Sequence, residues 1–369
     1  MGVFKVFGAS TSWKAAGTPG LLEADASRIR AGGHCESSAM VNALLACGYE
    51  AHEDEIIGYG AAPAFTFQEG SFPFIGGRSL DMRERYFELT GIPWGMRVPQ
   101  GGEDIWAGPL ELLGRGVPVM LRVDMRYLPY LYGGKIGPAY MSFGWHVITL
   151  FKVDGDRAWV SDTGHGGLME IRLRDLDRAR RSKTKAWPPR AEYSWAEPSP
   201  GYRRPGRDEL VAMALGLRVD PGSVTGSWAA ALGRFPEDLA RLIEYVPTYL
   251  LGPALSYMSD SIERNGTGGA AFRTLYLLWL RRERERTADA ALQAALDEVI
   301  PAAAESEKAW HGLAARFSAA AEAVSSKAGP AGMKDARTAV AADCARAAEA
   351  VVSAERAWAR RTAEALEGL

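Results

Sequence analysis

The chain has 369 residues, enough for two domains that each bury a core. Its net charge of −2 provides no electrostatic case for binding nucleic acid or an anionic membrane. Three cysteines, an odd and sparse set, argue against a disulfide framework and for a reducing, cytoplasmic setting. The opening Met1-Gly2-Val3-Phe4-Lys5-Val6-Phe7-Gly8 lacks the apolar stretch of a signal peptide. No run of about 18 apolar residues predicts a membrane span.

In chain order, residues 35–47 read as a short, largely apolar helix ended by Gly48. Residues 52–58 read as a second helix, Gly76-Gly77-Arg78 as a loop, and Asp81 to Thr90 as a helix closed by Gly91-Ile92-Pro93. Leu110 to Leu113 falls in a helix stopped by Gly114-Arg115-Gly116. The period then changes to two. Val117, Val119, Leu121 and Val123 alternate with Pro118, Met120 and Arg122, which predicts a strand. Residues 145–153 form another strand, Asp154-Gly155 a hairpin turn, Arg157 to Ser161 its antiparallel return, and Leu168 to Leu173 a third strand.

Recurrent prolines make 181–208 a candidate linker. Beyond it the signals are helical: Asp208 to Leu217, Ser227 to Gly233, Pro236 to Tyr245 and Phe272 to Arg286. The Ala-rich end predicts a long antiparallel helix pair broken at Gly329-Pro330. The expected class is α+β: a domain of mixed helices and antiparallel strands over 1–185, a Pro-rich linker over 186–207 and an all-helical domain over 208–369.

The chemistry concentrates in three places. Cys35 opens the first helix, where unpaired N–H groups and the positive end of the dipole stabilise a thiolate. Its own N–H is suited to an oxyanion. A buried inert thiol is the alternative, and Cys47 and Cys344 are read that way. His146 sits on the strand over residues 145–153. A turn at Asp154-Gly155 sets His146 opposite Thr163, so a bulge or strand-end bend brings Asp162 beside the imidazole. There it would fix the tautomer and stabilise the imidazolium; an ordinary strand-end turn residue is the competing reading. Cysteine, histidine and acid in that order form a candidate cysteine-nucleophile site.

His34 either shapes the oxyanion site or binds substrate, or simply caps the helix. Tyr127, Tyr130, Tyr132, Tyr140, Phe143 and Trp145 precede or flank His146 and are candidates to wall a dry pocket, with plain packing the alternative. Asn265-Gly266-Thr267-Gly268-Gly269 leads into a helix carrying Arg273, a phosphate-site candidate beside the simpler reading of a loop and N-cap. His52, His165 and His311 show no zinc spacing, so no metal is expected.

At these residues the chain resembles a known family. His34-Cys35-Glu36-Ser37-Ser38, Leu44 to Tyr49, Glu53-Asp54-Glu55-Ile56-Ile57-Gly58-Tyr59-Gly60, Gly116 to Asp124, Trp145 to Leu150 and Val160-Ser161-Asp162 resemble the N-terminal domain of the butirosin biosynthesis protein H family. Asn265 to Tyr276 is similar to the helical domain that usually follows it. The resemblance implies a papain-like cysteine-enzyme domain with an antiparallel sheet. In the family's namesake an acyl group passes from a carrier-protein thioester to an aminoglycoside amine.

Carried over, Cys35 is the nucleophile, His146 the base and Asp162 the orienting acid, with His34, Tyr59, Tyr127, Trp145 and Arg273 as weaker substrate-binding candidates. The implied function is a cysteine-dependent acyltransferase in natural-product biosynthesis. Its donor would be the phosphopantetheine arm of an acyl carrier protein, its acceptor a small-molecule amine, with no tightly bound cofactor. A cysteine hydrolase or peptidase, an amide-forming cyclase and a non-catalytic carrier-binding module are the rivals. Papain-like peptidases place an oxyanion-donating glutamine upstream of the cysteine; here Ser27, Arg28, Ile29 and Arg30 fill that stretch. The Ala-rich helices are also suited to pairing two chains as a homodimer.

Overall fold

The computed structural model describes residues 28–61, 63–70, 73–185, 187–199, 202–216, 228–325, 330–366 and 369. The readings that concern Met1 to Gly8, Ser27, Leu217 and Ser227 lie outside these residues. The chain divides into two units: the first combines residues 1–53 and 90–203, the second residues 54–89 and 204–369. This differs from the expected boundaries. Residues 54–89 group with the helical segment, because their buried side chains pack among its helices.

The first unit holds α1 (Cys35–Ala46), β3 (Trp94–Arg97), α4 (Ala107–Gly114), β4 (Val119–Val123), β5 (His146–Asp154), β6 (Arg157–Ser161), β7 (Met169–Arg172), α5 (Leu173–Arg180) and β8 (Tyr193–Ala196). Six strands form one antiparallel sheet in the order β3-β8-β4-β5-β6-β7. β8 lies inside the expected linker yet takes a central place, with Tyr193 opposite Leu121 and Ser194 opposite Met120. The prolines flank it, and the four residues between them, Tyr-Ser-Trp-Ala, include two of the aromatics that suit a strand.

One face of this sheet is buried by α4 and α5, with Val119, Leu121, Val123, Ile148, Leu150 and Val160 in a shared core. α1 packs on β5, β4 and β8, and Thr149 Oγ1 donates to the Ala39 carbonyl at 2.8 Å. Burial on both faces explains why β4 and β5 carry apolar residues at consecutive as well as alternate positions. α1 itself is buried along nearly its whole length from Glu36 to Leu45, and Gly48 follows it at φ +88°.

The hairpin register differs from expectation. Gly155 and Asp156 are the loop residues, Asp154 pairs with Arg157, and a bulge falls between Leu150 and Lys152. β6 ends at Ser161, so Asp162 lies just beyond the ladder.

The second unit holds α2 (Glu53–Gly60, of which Glu53 belongs to the first unit), β1 (Pro63–Gln68), β2 (Phe74–Arg78), α3 (Met82–Thr90, of which Thr90 belongs to the first unit), α6 (Arg207–Gly216), α7 (Trp228–Tyr245), α8 (Thr248–Glu263), α9 (Arg273–Arg286), α10 (Ala290–Ser325) and α11 (Pro330–Leu366). The expected loop at Gly76-Gly77-Arg78 is part of β2, paired antiparallel with β1. Glycine is accommodated there because the Ala271 carbonyl would lie 2.2 Å from any Cβ on Gly77. The two helices expected around residues 227–245 are one, with Pro236 inside it. α10 and α11 run antiparallel, since Glu298 meets Arg361 while Arg316 meets Asp343. Phe65 and Ile75 join Phe235, Leu255, Trp310 and Phe317 in this unit's core. Among the described residues no helix is long and apolar enough to cross a membrane.

Candidate active site

Cys35 is the first residue of α1, and His34 is the N-cap in extended geometry (φ −133°, ψ 135°). The Ser37 N–H donates to His34 Nδ1 at 3.2 Å, and the Ser38 N–H donates to the His34 carbonyl at 2.9 Å. The Cys35 N–H belongs to the opening turn, whose first donors have no intrahelical acceptor. The loop before it is fixed by Glu53. One carboxylate oxygen accepts the Gly33 N–H at 2.8 Å; the other accepts the His34 N–H and the Ser37 hydroxyl, each at 2.8 Å. Upstream, Asn42 clamps Arg30 in both directions: Oδ1 accepts its N–H at 2.9 Å and Nδ2 donates to its carbonyl at 3.1 Å.

His146 is the first residue of β5, opposite Val123. Its Nε2 lies 2.7 Å from Asp162 Oδ1. Cys35 is near enough to act on the ring's basicity, and with Nε2 engaged by Asp162, Nδ1 is the ring nitrogen left for the sulfur. Both oxygens of Asp162 are engaged, with the Thr163 N–H also on Oδ1 at 2.7 Å and the Tyr130 hydroxyl on Oδ2 at 2.8 Å. His146 and Asp162 are both buried.

The electrostatics follow. Burial by itself lowers the basicity of the His146 ring, but the Asp162 carboxylate, assisted by Cys35, outweighs it and pushes the imidazole up to about 10. Burial would raise the Asp162 carboxyl, yet the imidazolium, the Tyr130 hydroxyl and the Thr163 N–H hold it below its ordinary 3.8. Burial, then the neighbouring carboxylate, keeps the Tyr130 phenol well above its usual range.

A stability signature is expected from this pair. His146 is raised above its unfolded value of 6.5, so its contribution is complete below that pH and is lost as pH rises through about 10. Asp162 is lowered, so its contribution holds above 3.8 and is lost as pH falls below that value. The thermal midpoint should therefore drop between pH 6.5 and 10. In Asp162→Asn the carboxylate is gone and burial dominates. Nitrogen-15 histidine spectra should then show a neutral ring at pH 7, against an imidazolium in the parent protein. Identical spectra would refute the assignment.

The remaining sequence candidates separate. His34 caps the helix and contributes to the Cys35 loop. Trp145, next to His146, is met by the Arg122 guanidinium over its ring at 4.6 Å and by the tilted Trp187 ring at 4.4 Å. Tyr127 is stacked by Arg126 and Arg178 at 5.5 and 5.3 Å and is partly buried on the core. Tyr140 is 83 % exposed, so it closes no pocket wall. Tyr59 is in the second unit, where its hydroxyl donates to Glu283 at 2.5 Å.

Arg273 is also in the second unit and is 1 % exposed. It is committed to Glu355 at 2.7 Å and to the carbonyls of Gly77, Ala271 and Ala64. Four of its five N–H donors are thereby committed and the side chain is buried, which does not suit a phosphate site, and Thr267 of the same glycine-rich segment donates to the Ile262 carbonyl. His311 pairs with Glu263, and His165 meets the Tyr130 ring edge-on. Among the described residues no group of three His, Cys, Asp or Glu side chains is placed to hold a metal ion.

Two site residues escaped the sequence reading in their actual roles. Tyr130 was a candidate wall residue and is instead the second partner of Asp162. Glu53 carried no signal beyond its place in a family motif, because a carboxylate opening a helix ordinarily serves that helix's own dipole.

None of the curated proteins matches the chain. Residues 34–163 match the family described as butirosin biosynthesis protein H, N-terminal, and residues 174–361, half of the chain, match a domain of unknown function (DUF4872). The α+β fold, with its papain-like cysteine domain and helical second half, agrees with that arrangement. The chain belongs to the butirosin biosynthesis protein H family, with the N-terminal domain of that family followed by its helical companion.

Proposed function

We propose that this protein is a biosynthetic enzyme that transfers an acyl group from a thioester to an amine through Cys35. One observation carries the reading: a cysteine at a helix N-terminus lies near enough to a buried histidine to act on its basicity, and Nε2 of that ring is held by an aspartate with both carboxylate oxygens engaged. The Cys35 sulfur, having given its proton to His146, attacks the thioester carbonyl, and the Cys35 N–H faces the developing oxyanion. The bond to the donor sulfur breaks, and His146 returns a proton to that leaving thiol. An amine then attacks the Cys35 acyl-enzyme, His146 takes its proton, and the Cys35 sulfur leaves. Asp162 stays ionised and holds the ring so that Nδ1 faces the sulfur.

Exchange of one thioester for another is close to energetically neutral, so a thiol nucleophile suits this donor. The donor is best supplied by the phosphopantetheine arm of a carrier protein, as the family name's biosynthetic setting suggests. The test is intact mass spectrometry of the protein incubated with an acyl N-acetylcysteamine thioester. A single acyl adduct on Cys35 that discharges only when an amine is added is the expected result. Discharge in water alone would make the protein a hydrolase, and absence of any adduct would end the proposal.

A further inference from the structure

The second unit contains a pocket that the chemistry at Cys35 does not use. Leu280, Leu292, Leu296 and Val299 form its apolar walls, and Tyr276, Trp279, Trp358 and Thr362 complete them. The space between these walls, mouth included, is about 690 Å³, yet its free bore is narrow. Trp279 is seated against α2 only because Gly58 lacks a side chain; a Cβ there would lie 2.1 Å from the indole.

Four polar atoms of this wall can each donate a hydrogen bond and make none. Tyr276 Oη, Trp279 Nε1, Trp358 Nε1 and Thr362 Oγ1 are buried and have no hydrogen-bond partner. The four residues are each at least nine-tenths buried. An indole N–H can only donate, and a hydroxyl can donate. Buried donors without acceptors destabilise a fold unless something fills the demand. The sole carboxylate of the lining, Glu283, already accepts Tyr59 Oη at 2.5 Å and Arg204 Nη2 at 3.0 Å. Arg85 also lines the pocket, is half-buried, and has no ion-pair partner among the described residues.

A narrow apolar bore, a set of unanswered donors and an unpaired guanidinium together specify an occupant. We propose that this pocket binds a straight-chain carboxylate, its hydrocarbon tail along the leucines and its carboxylate accepting from Arg85 and the orphan donors. Such a ligand satisfies the donors and buries its methylenes in one step. The inference is independent of the reading of Cys35.

The experiment is calorimetric titration of the full chain with sodium octanoate, alongside tryptophan fluorescence. A single saturable site is expected. Arg85→Gln should weaken it about tenfold or more, the loss of one charge-assisted pair. Methyl octanoate should bind the parent protein as weakly as octanoate binds Arg85→Gln. Leu296→Trp, which fills the bore, should abolish binding; Val299→Phe serves if that variant unfolds, with circular dichroism as the check on both. No saturation up to about 1 mM octanoate, or undiminished binding in a folded bore-filled variant, would overturn the site. Equal affinity for acid and ester, or tighter binding of octanoyl-N-acetylcysteamine, would overturn the carboxylate assignment.

Discussion

Replacing His146 with alanine is expected to slow alkylation of Cys35 by iodoacetamide by up to about 300-fold at pH 6, and far less near pH 9. An unassisted thiol ionises near 8.5, so at pH 6 only about one part in 300 is the nucleophilic thiolate. In the parent protein the neighbouring ring keeps its proton up to about 10 and offers a cation to the sulfur throughout this range. The deficit of the variant should therefore be greatest at low pH and close as the pH rises.

Peptide mapping assigns the label. Cys344 is buried, with its thiol pushed up to about 12 mainly by burial, and Cys47 Sγ donates to the Ala196 carbonyl at 3.4 Å. Neither competes at pH 6. Asp162→Asn should fall between the two curves, because the amide still orients the ring but no longer holds its charge. Parallel profiles in parent and His146→Ala would show that imidazole and sulfur do not act together, and the proposed chemistry would fall with them.

A second large effect is expected far from any chemistry. Glu355→Ala should lower the opening free energy of the helical unit by about 3–5 kcal/mol, the cost of leaving one member of a buried ion pair alone. Glu355 Oε1 accepts Arg273 Nε, Ser306 Oγ and Trp310 Nε1, each at 2.7 Å, with no exposure to share the load. Burial would raise this carboxyl, but Arg273 holds it below its ordinary 4.5. Its contribution is thus present above that value and lost as pH falls below it, so acid should mimic the substitution.

Hydrogen exchange of peptides from β2, α9 and α11 measures this locally, without assuming that the whole chain opens at once. The double replacement Arg273→Met with Glu355→Leu should recover part of the loss, since no lone charge remains buried. Unaltered exchange in Glu355→Ala would mean the cluster contributes nothing to holding β1 and β2 on the helices.

Legibility in the sequence varied with range. Cys35 at a helix tip was readable because Gly32-Gly33 and the apolar run after it are local signals. His146 and Asp162 were readable as neighbours from a hairpin sixteen residues long, although the turn residues are Gly155 and Asp156 and the bulge falls at Leu150 to Lys152. β8 was not readable. Four residues between prolines have no periodicity to detect, and their place between β3 and β4 is set by pairing with strands some 70 and 100 positions earlier in the chain.

Arg273 shows the same limit in another way. Its sequence setting, a glycine-rich loop running into a helix, suits an anion. Its actual anion is Glu355, 82 residues later in the chain.

What the sequence determined by itself was the class of each half, the Ala-rich helix pair, the helix that presents Cys35 and the strand that carries His146. Those follow from spacing and propensity within about twenty residues, where the chain's own stereochemistry decides. Only the tertiary structure decided that Glu53 holds the Cys35 loop, that Tyr130 completes Asp162, that residues 54–89 join the helices, and that Arg85 stands unpaired beside a donor-lined apolar bore. Each is a contact between distant segments. Its formation depends on closing a long loop against its entropy, which is repaid by burial and hydrogen bonding that no local pattern records.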